Sequence, residues 1–225
     1  MEYYYANILI NSIALFTNLI CLAAIIYLAF KLRLFIISIS KKLEKKRNTK
    51  KRSAHELTMR AQGLSELAEI IKSFDCDWHV SGGTALGVAR EKDFIPWDWD
   101  VGIAVKAEQF KDIWPSFVQK VQKEGFEVFQ LRTFALENNE KILLKKYDQN
   151  YEILFWTKKG DKRVRKIFCR SSKFFDKTEM RKLRGKYYPF PSPLEEYLEE
   201  VYGDWRTPIR DGDKKKYFNP AGLMK

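Results

Sequence analysis

The chain has 225 residues, 45% of them hydrophobic and 15% aromatic, which suffices for one sizeable core and excludes a disordered chain. Its net charge of +12 suggests a nucleic-acid-binding protein at first, but ten lysine and arginine residues lie at positions 31–52, with Glu44 as the only acid there. With Glu2 counted, residues 53–225 carry only +4. The charge therefore favours a basic segment facing anionic lipid, and we expect no nucleic-acid partner.

Residues 6–30 contain no charged side chain. About 20 such residues cross a bilayer as a helix. A cleavable signal peptide would begin with basic residues, whereas here Glu2 leads and Lys31 and Arg33 follow the apolar segment. We therefore predict a retained membrane anchor, with the basic residues on its cytoplasmic side. The predicted organisation is a transmembrane anchor at 6–30, a basic juxtamembrane segment at 31–52 and one domain at 53–225.

Cysteine and histidine residues give no metal-site or disulfide signal. Cys21, Cys76 and Cys169 have no short metal-ligand spacing, and Cys21 lies inside the apolar segment. His79 is expected to pack on its strand rather than bind a metal.

The spacing of apolar residues predicts a chain of alternating helices and strands, an α+β domain. Apolar residues recur every three or four positions in two long segments, which predicts two helices that cover a sheet. The predicted helices are 54–74, 84–91, 107–124 and 193–201, and the predicted strands are 78–80, 101–105, 126–131, a strand beginning at 142, and 151–156. Gly125 is expected to end the third helix.

Ser81-Gly82-Gly83-Thr84 lies between a predicted strand and a predicted helix. Glycine lets the backbone approach a phosphate, and the N–H groups of a helix N-terminus favour an anion. A glycine pair alone also fits an ordinary tight turn. The residues that follow, Pro96-Trp97-Asp98-Trp99-Asp100, decide between these interpretations. We expect strand alternation to place Asp98 and Asp100 on one face, where the two carboxylates require a cation, and Mg²⁺ or Mn²⁺ held with substrate phosphates suits them.

Two motifs carry a resemblance to a known family. Gly-Gly-Thr-x-Leu-Gly-x-x-Arg at 82–90 and Phe-Ile-Pro-Trp-Asp-x-Asp at 94–100 resemble the signature of the LicD/fukutin family, in the DNA polymerase beta-like nucleotidyltransferase superfamily. Tyr188-Pro189-Phe190-Pro191 and the Tyr-Leu and Tyr-Gly-x-Trp elements at 197–205 are similar to its closing motifs. The resemblance covers about residues 55–210. It implies a nucleotidyltransferase fold, a mixed sheet with covering helices.

The resemblance also implies a function. Such proteins move a phospho-substituent, such as phosphocholine or phosphoribitol, from a CDP-activated donor to a cell-surface glycan or its precursor. The partners would be the membrane, the CDP-linked donor and a glycan or glycolipid acceptor. Such donors are made in the bacterial cytoplasm, so the domain is expected on the cytoplasmic side of the inner membrane. A eukaryotic chain would instead belong in the Golgi.

By the same resemblance, Asp98 and Asp100 would be metal ligands and catalytic residues, and Ser81, Gly82, Gly83 and Thr84 would hold the donor phosphates. Arg90 could reach the diphosphate, or it pairs with Glu91 or Asp93. Glu152 is expected as a third carboxylate, both metal ligand and catalytic residue, with Asp148 as the alternative. An acceptor hydroxyl would lose its proton to Glu152, Asp100 or a metal-bound oxygen, and its attack would expel CMP.

The acidic motif departs from the family pattern. Relatives often read Trp-Asp-x-Asp-x-Asp, and an ungapped register puts Gly102 at the last aspartate. The register that we prefer has a loop one residue shorter and matches Asp98 and Asp100 to the final pair. The ungapped register would remove one ligand, which leaves an inert, membrane-tethered binding or scaffold protein as the alternative function.

Basic residues outside the motifs leave two interpretations open. Lys145 and Lys146 would approach an anionic donor or form a solvated strand face. Arg163, Arg165 and Lys166 would supply a phosphate-facing surface or only solubility.

Overall fold

The protein is described here from a computed structural model that covers residues 20–39, 51–132 and 141–209, together with residues 15, 17 and 18. The chain forms two compact units, Met1–Arg47 and Asn48–Lys225. Each unit is described by itself.

The first unit contains helix α1, Ile20–Ile39, which is long and apolar enough to cross a membrane. Its mean hydropathy is 2.3, and none of it is buried. The helix continues nine residues past the predicted end at Phe30, through Lys31 and Arg33. Residues 6–14 of the predicted span and residues 40–50 of the predicted basic segment lie outside the described residues.

The second unit alternates short helices with strands. The helices are α2 (Ala54–Lys72), α3 (Gly82–Glu91), α4 (Ala107–Phe110), α5 (Trp114–Lys123), α6 (Lys173–Asp176) and α7 (Leu194–Tyr202). The strands are β1 (Trp78–Ser81), β2 (Asp100–Lys106), β3 (Glu127–Arg132), β4 (Lys141–Lys146), β5 (Gln149–Lys159), β6 (Lys162–Arg165), β7 (Phe168–Ser171), β8 (Thr178–Leu183) and β9 (Lys186–Pro191).

The main sheet is mixed, as predicted. Its order is β1-β2-β5-β4-β3, and β6 and β7 extend it from the end of β5. Strands β2 and β5 pair in parallel, and the other pairs are antiparallel. Strands β8 and β9 form a separate hairpin. The parallel pair matters most, because it brings residues 100–106 beside residues 150–156.

Helix α2 confirms the first predicted helix. It begins with a capping box in which Ser53 and Glu56 each accept a hydrogen bond from the other's backbone N–H. Its buried stripe lies on the sheet, and Gly63 of this helix lies against the side chain of Tyr151. A methyl group added to Gly63 would lie 2.7 Å from Cζ of Tyr151 on β5, so only glycine fits.

The prediction of one continuous helix at 107–124 was wrong. The segment forms two helices, α4 and α5, because Pro115 stands in the first turn of α5. Proline has no N–H to continue a preceding helix, but it suits the first turn of a new one. Gly125 follows α5 with φ +81°, as expected for a residue that ends a helix.

The two faces of β5 have different neighbours, because side chains alternate along a strand. Tyr151 and Phe155 face α2 and α4, and Phe155 packs on Phe110 at 5.1 Å between ring centres. Trp156 faces the other side and packs on Phe175 of α6 at 5.6 Å. Glu152 shares that second face, so the candidate site lies there.

Candidate functional site

The glycine turn joins β1 to α3. Gly82 adopts φ +62°, a left-handed conformation that favours glycine, and α3 begins there, two residues before the predicted start. The first N–H groups of a helix have no partner within it. The turn therefore presents backbone donors where an anion would bind.

Two buried hydroxyl groups flank this turn. Ser81 is 2% exposed and Thr84 is 1% exposed, and neither hydroxyl oxygen has a hydrogen-bond partner among the described residues. A buried polar group without a partner costs about 1–3 kcal/mol. Two such groups beside a helix N-terminus indicate a place for a polar ligand, and phosphate oxygens would satisfy both.

The Asp98 carboxylate lies directly against the turn. A methyl group added to Gly83 would lie 2.8 Å from Cγ of Asp98, so a side chain there would displace the carboxylate. The backbone N–H of Trp99 donates to Asp98 Oδ1 at 2.9 Å. Burial raises the pKa of the Asp98 carboxyl, and the positive charges of Arg60 and Arg52 oppose that rise.

The expectation that strand alternation pairs Asp98 with Asp100 was wrong. Strand β2 begins at Asp100, and Asp98 lies in the preceding loop, where its N–H donates to the Ile95 carbonyl at 3.0 Å. Alternation instead places Asp100 and Gly102 on one face of β2. The preferred register, which matches Asp98 and Asp100 to the final pair of the family motif, stays a prediction.

Gly102 occupies the centre of a row across three strands. Its Cα pairs with Ser81 on β1 and with Glu152 on β5. A methyl group on Gly102 would meet the Ser81 carbonyl oxygen at 3.2 Å and the Ser81 hydroxyl oxygen at 3.3 Å, which is tight. The row therefore holds one carboxylate, that of Glu152.

Glu152 binds a lysine. Lys141 on β4 donates to Glu152 Oε1 at 2.7 Å, and both side chains are less than one-fifth exposed. Within the described residues, no three His, Cys, Asp or Glu side chains form a group that could hold a metal ion. The assignment of Asp98, Asp100 and Glu152 as metal ligands stays a prediction.

Two arginines that the sequence analysis missed hold the acidic loop. Fully buried Arg60 donates to the carbonyl oxygens of Asp98 at 3.1 Å and Trp99 at 3.2 Å. Arg52 donates to the Trp99 carbonyl at 3.1 Å, and both arginines bind Gln149 Oε1. Burial and Arg52 lower the pKa of Arg60 to about 10. One signal in the sequence could have identified Arg60, because it is a charged residue on the apolar stripe of α2.

Tyr197 and Tyr202 of helix α7 interact with the glycine turn and with the acidic side chains. Burial raises the pKa of the Tyr202 hydroxyl, and Asp98 and Asp100 are among the charges that raise it further. Burial also raises the pKa of the Tyr197 hydroxyl, and hydrogen bonds from Arg170 and from the Gly82 backbone oppose this. Both tyrosines belong to the second motif patch, so this patch lies beside the first.

Other candidate residues have structural partners. Arg90 donates to Glu91 Oε1 at 2.9 Å and to the Trp205 carbonyl at 3.4 Å. Asp148, the alternative third carboxylate, is 83% exposed and pairs with Lys145 at 2.8 Å. Lys146 donates to the Glu124 carbonyl oxygen.

The predicted packing role of His79 is confirmed. The side chain is buried, and its ring lies 4.9 Å from Phe175 and 6.3 Å from Tyr197 between ring centres. Burial lowers the pKa of His79 to about 3.

The fold is a mixed α/β fold, and the glycine turn presents backbone donors beside acidic side chains. A family model described as LicD/FKTN/FKRP, nucleotidyltransferase domain, matches residues 75–192, just over half of the chain. The chain therefore belongs to the LicD family, as its motifs predicted. Membership supports a transferase of that family.

Comparisons with individual proteins add a distant likeness. A search of curated proteins found no match. Among solved structures, a candidate nucleotidyltransferase from Thermotoga maritima is similar, at 15% identity and a TM-score of 0.40. That likeness covers 61% of this chain and 80% of the other.

Proposed function

We propose that this protein is a membrane-anchored transferase that moves a phospho-substituent, such as phosphocholine or phosphoribitol, from a CDP-activated donor to a cell-surface glycan or its precursor. One observation carries the proposal: the Asp98 carboxylate lies against Gly83, at a turn flanked by two buried hydroxyls without partners. The donor and the carried groups are those that family membership suggests.

The turn would hold the donor diphosphate. The N–H of Gly82 bonds to Tyr197, but the N–H groups that follow it in α3 and the hydroxyls of Ser81 and Thr84 are donors, which suits an anion. Asp98 repels an anion at the same turn unless a cation lies between them. The arrangement thus requires additional positive charge.

Mg²⁺ or Mn²⁺ fits that requirement when the donor phosphates complete its ligands, because such ions are usually held by one or two carboxylates together with phosphates. Asp98 and Asp100 would hold the ion, and Glu152 is engaged by Lys141. The ion would neutralise charge on the phosphates. An acceptor hydroxyl would lose its proton to Asp100 or Glu152, bond to the phosphorus next to the carried group, and release CMP.

The test is transferase activity of the full-length protein in detergent with CDP-choline and CDP-ribitol. Asp98→Asn and Asp100→Asn keep the side-chain size and remove the negative charge, so we expect each to lower activity at least a hundredfold. Asp112→Asn, at an exposed position on the loop between α4 and α5, is the matched control and should retain activity. Wild-type activity in both site variants would refute the proposal.

Gly102 and the Lys141–Glu152 pair favour a second candidate, an inert binding or scaffold protein. Gly102 brings no carboxylate to the row beside the turn, and Glu152, the one acid in that row, already has a lysine partner. If the wild-type protein binds CDP compounds but turns none of them over, the result supports the inert binding protein and the transferase proposal fails.

A further inference from the structure

Arg165 extends over the site face of the sheet from the end of β6. Its guanidinium carbon lies 5.7 Å from the ring centre of Trp156 and 5.6 Å from that of Phe168. Trp156 is on the same face of β5 as Glu152. Contact with two aromatic rings fixes the direction of the side chain, since guanidinium groups stack on aromatic faces.

Arg165 differs from its neighbour Arg163 in its partners. Arg163 donates to both oxygens of Glu108, at 2.6 and 3.0 Å, and to the Trp156 carbonyl. Among the described residues, no carboxylate lies within ion-pair distance of Arg165, and its buried Nε has no hydrogen-bond partner. Buried charges in proteins are normally paired. A half-buried guanidinium with no carboxylate at ion-pair distance among the described residues therefore suits an anionic ligand.

The negative charges that act on Arg165 are those of the candidate site. Burial lowers the pKa of the Arg165 guanidinium, and the carboxylates of Glu152 and Asp100 oppose this effect. Arg170, on β7, lowers the pKa further, and its guanidinium also lies against Trp156 and Phe168, at 5.7 and 5.8 Å. Two arginines of the β6–β7 hairpin thus lie against the same two aromatic rings, on the face of the sheet that carries Glu152.

We propose that Arg165 binds a phosphate group of the nucleoside diphosphate part of the donor, an inference that rests on the proposed function. Its planar group offers paired N–H donors that match two phosphate oxygens. The phosphate would supply the missing counterion and satisfy the buried Nε.

Calorimetric titration of CDP into the full-length protein in detergent, with Mg²⁺ present, tests this role. Arg165→Gln should weaken CDP binding at least tenfold. Lys162→Gln removes one positive charge from an exposed position on the same strand and should change the affinity less than twofold. Arg165→Lys keeps the charge but loses the paired donors, so we expect binding at least threefold weaker than in the wild type. The unfolding temperature without ligand identifies any variant that fails to fold.

The outcomes separate the two proposals. If the wild type binds CDP, and Arg165→Gln and Arg165→Lys bind it as tightly as Lys162→Gln, the role of Arg165 is wrong and the proposed function stands. If Arg165→Gln does not fold, wild-type affinity in Arg165→Lys overturns the role by itself. If the wild-type protein binds no CDP, the proposed function fails and the inference fails with it.

Discussion

At the scale of single residues, Asp98 holds its place because the buried Arg60 and the half-buried Arg52 bind the loop around it. Arg60 supplies donors to the Asp98 and Trp99 carbonyl oxygens, and Arg52 supplies a second donor to Trp99. These bonds go to the backbone, so they position the loop without neutralising the carboxylate directly. Asp98 therefore remains available for a cation shared with a ligand.

Arg60→Met tests this positioning. Methionine fills similar space without donors, so the Asp98 carbonyl loses the bond from Arg60. We expect a loss of about 2–4 kcal/mol in the free energy of unfolding, since hydrogen bonds to charged groups are worth about 1.5–3 kcal/mol each and are shared here with Arg52. Unfolding of the wild type and the variant by urea in detergent measures this loss in the free energy of unfolding.

Arg206→Met is the control for that measurement. Its side chain is 66% exposed and lies 4.0 Å from Glu199, so the change should stay within about 0.5 kcal/mol. Equal stability of the two variants would mean that Arg60 does not hold the loop.

At the scale of elements, apolar periodicity predicted the parts of the fold that depend on local burial. The stripe of α2 and the apolar strands β2, β4 and β5 were all found where expected. Helix α3 begins at Gly82, two residues earlier than predicted, because the spacing of apolar residues gives no signal at two glycines. The break between α4 and α5 was missed because the apolar stripe continues across it, although Pro115 was a visible signal.

Strand pairing explains most of what the sequence could not reveal. Gly102 lies beside Glu152, and Lys141 meets Glu152, only through the register of β2 and β4 against β5. That register depends on contacts between distant parts of the chain. Strands β6 and β7 have many basic residues and little apolar alternation, so the pattern did not predict them. Arginine contacts with Trp156 and with Glu108 support them instead.

At the scale of the whole molecule, helix α1 supports the proposal of a membrane anchor. Twenty helical residues span about 30 Å, the thickness of the hydrocarbon core. Large apolar side chains such as Leu22, Ile25 and Ile26 are more than half exposed. The ten basic residues at 31–52 support a cytoplasmic domain, by the same reasoning from flanking charge.

Membrane fractionation after expression in bacteria tests both parts of this proposal. The wild type should resist alkaline extraction, and its domain should be digested by protease in inverted vesicles but not in intact spheroplasts. Replacing Ile25 and Ile26 with lysine should release the protein, because each lysine at a helix centre costs about 2.5–3.5 kcal/mol on insertion. Replacing both with leucine should leave it anchored. Release of the wild type by alkali would contradict the anchor, and digestion in spheroplasts would contradict the orientation.

The central claim is that the glycine turn and Asp98 form one binding site for a nucleoside diphosphate with a divalent cation. Thermal unfolding of the full-length protein and of Asp98→Asn, with and without CDP and Mg²⁺, tests it most directly. A ligand at a hundred times its Kd stabilises the folded state by about 2.7 kcal/mol, or roughly 5–10 °C for a domain of this size. We predict that rise for the wild type and less than about 1 °C for Asp98→Asn. An unchanged unfolding temperature in the wild type, or the same rise in both proteins, would contradict the claim.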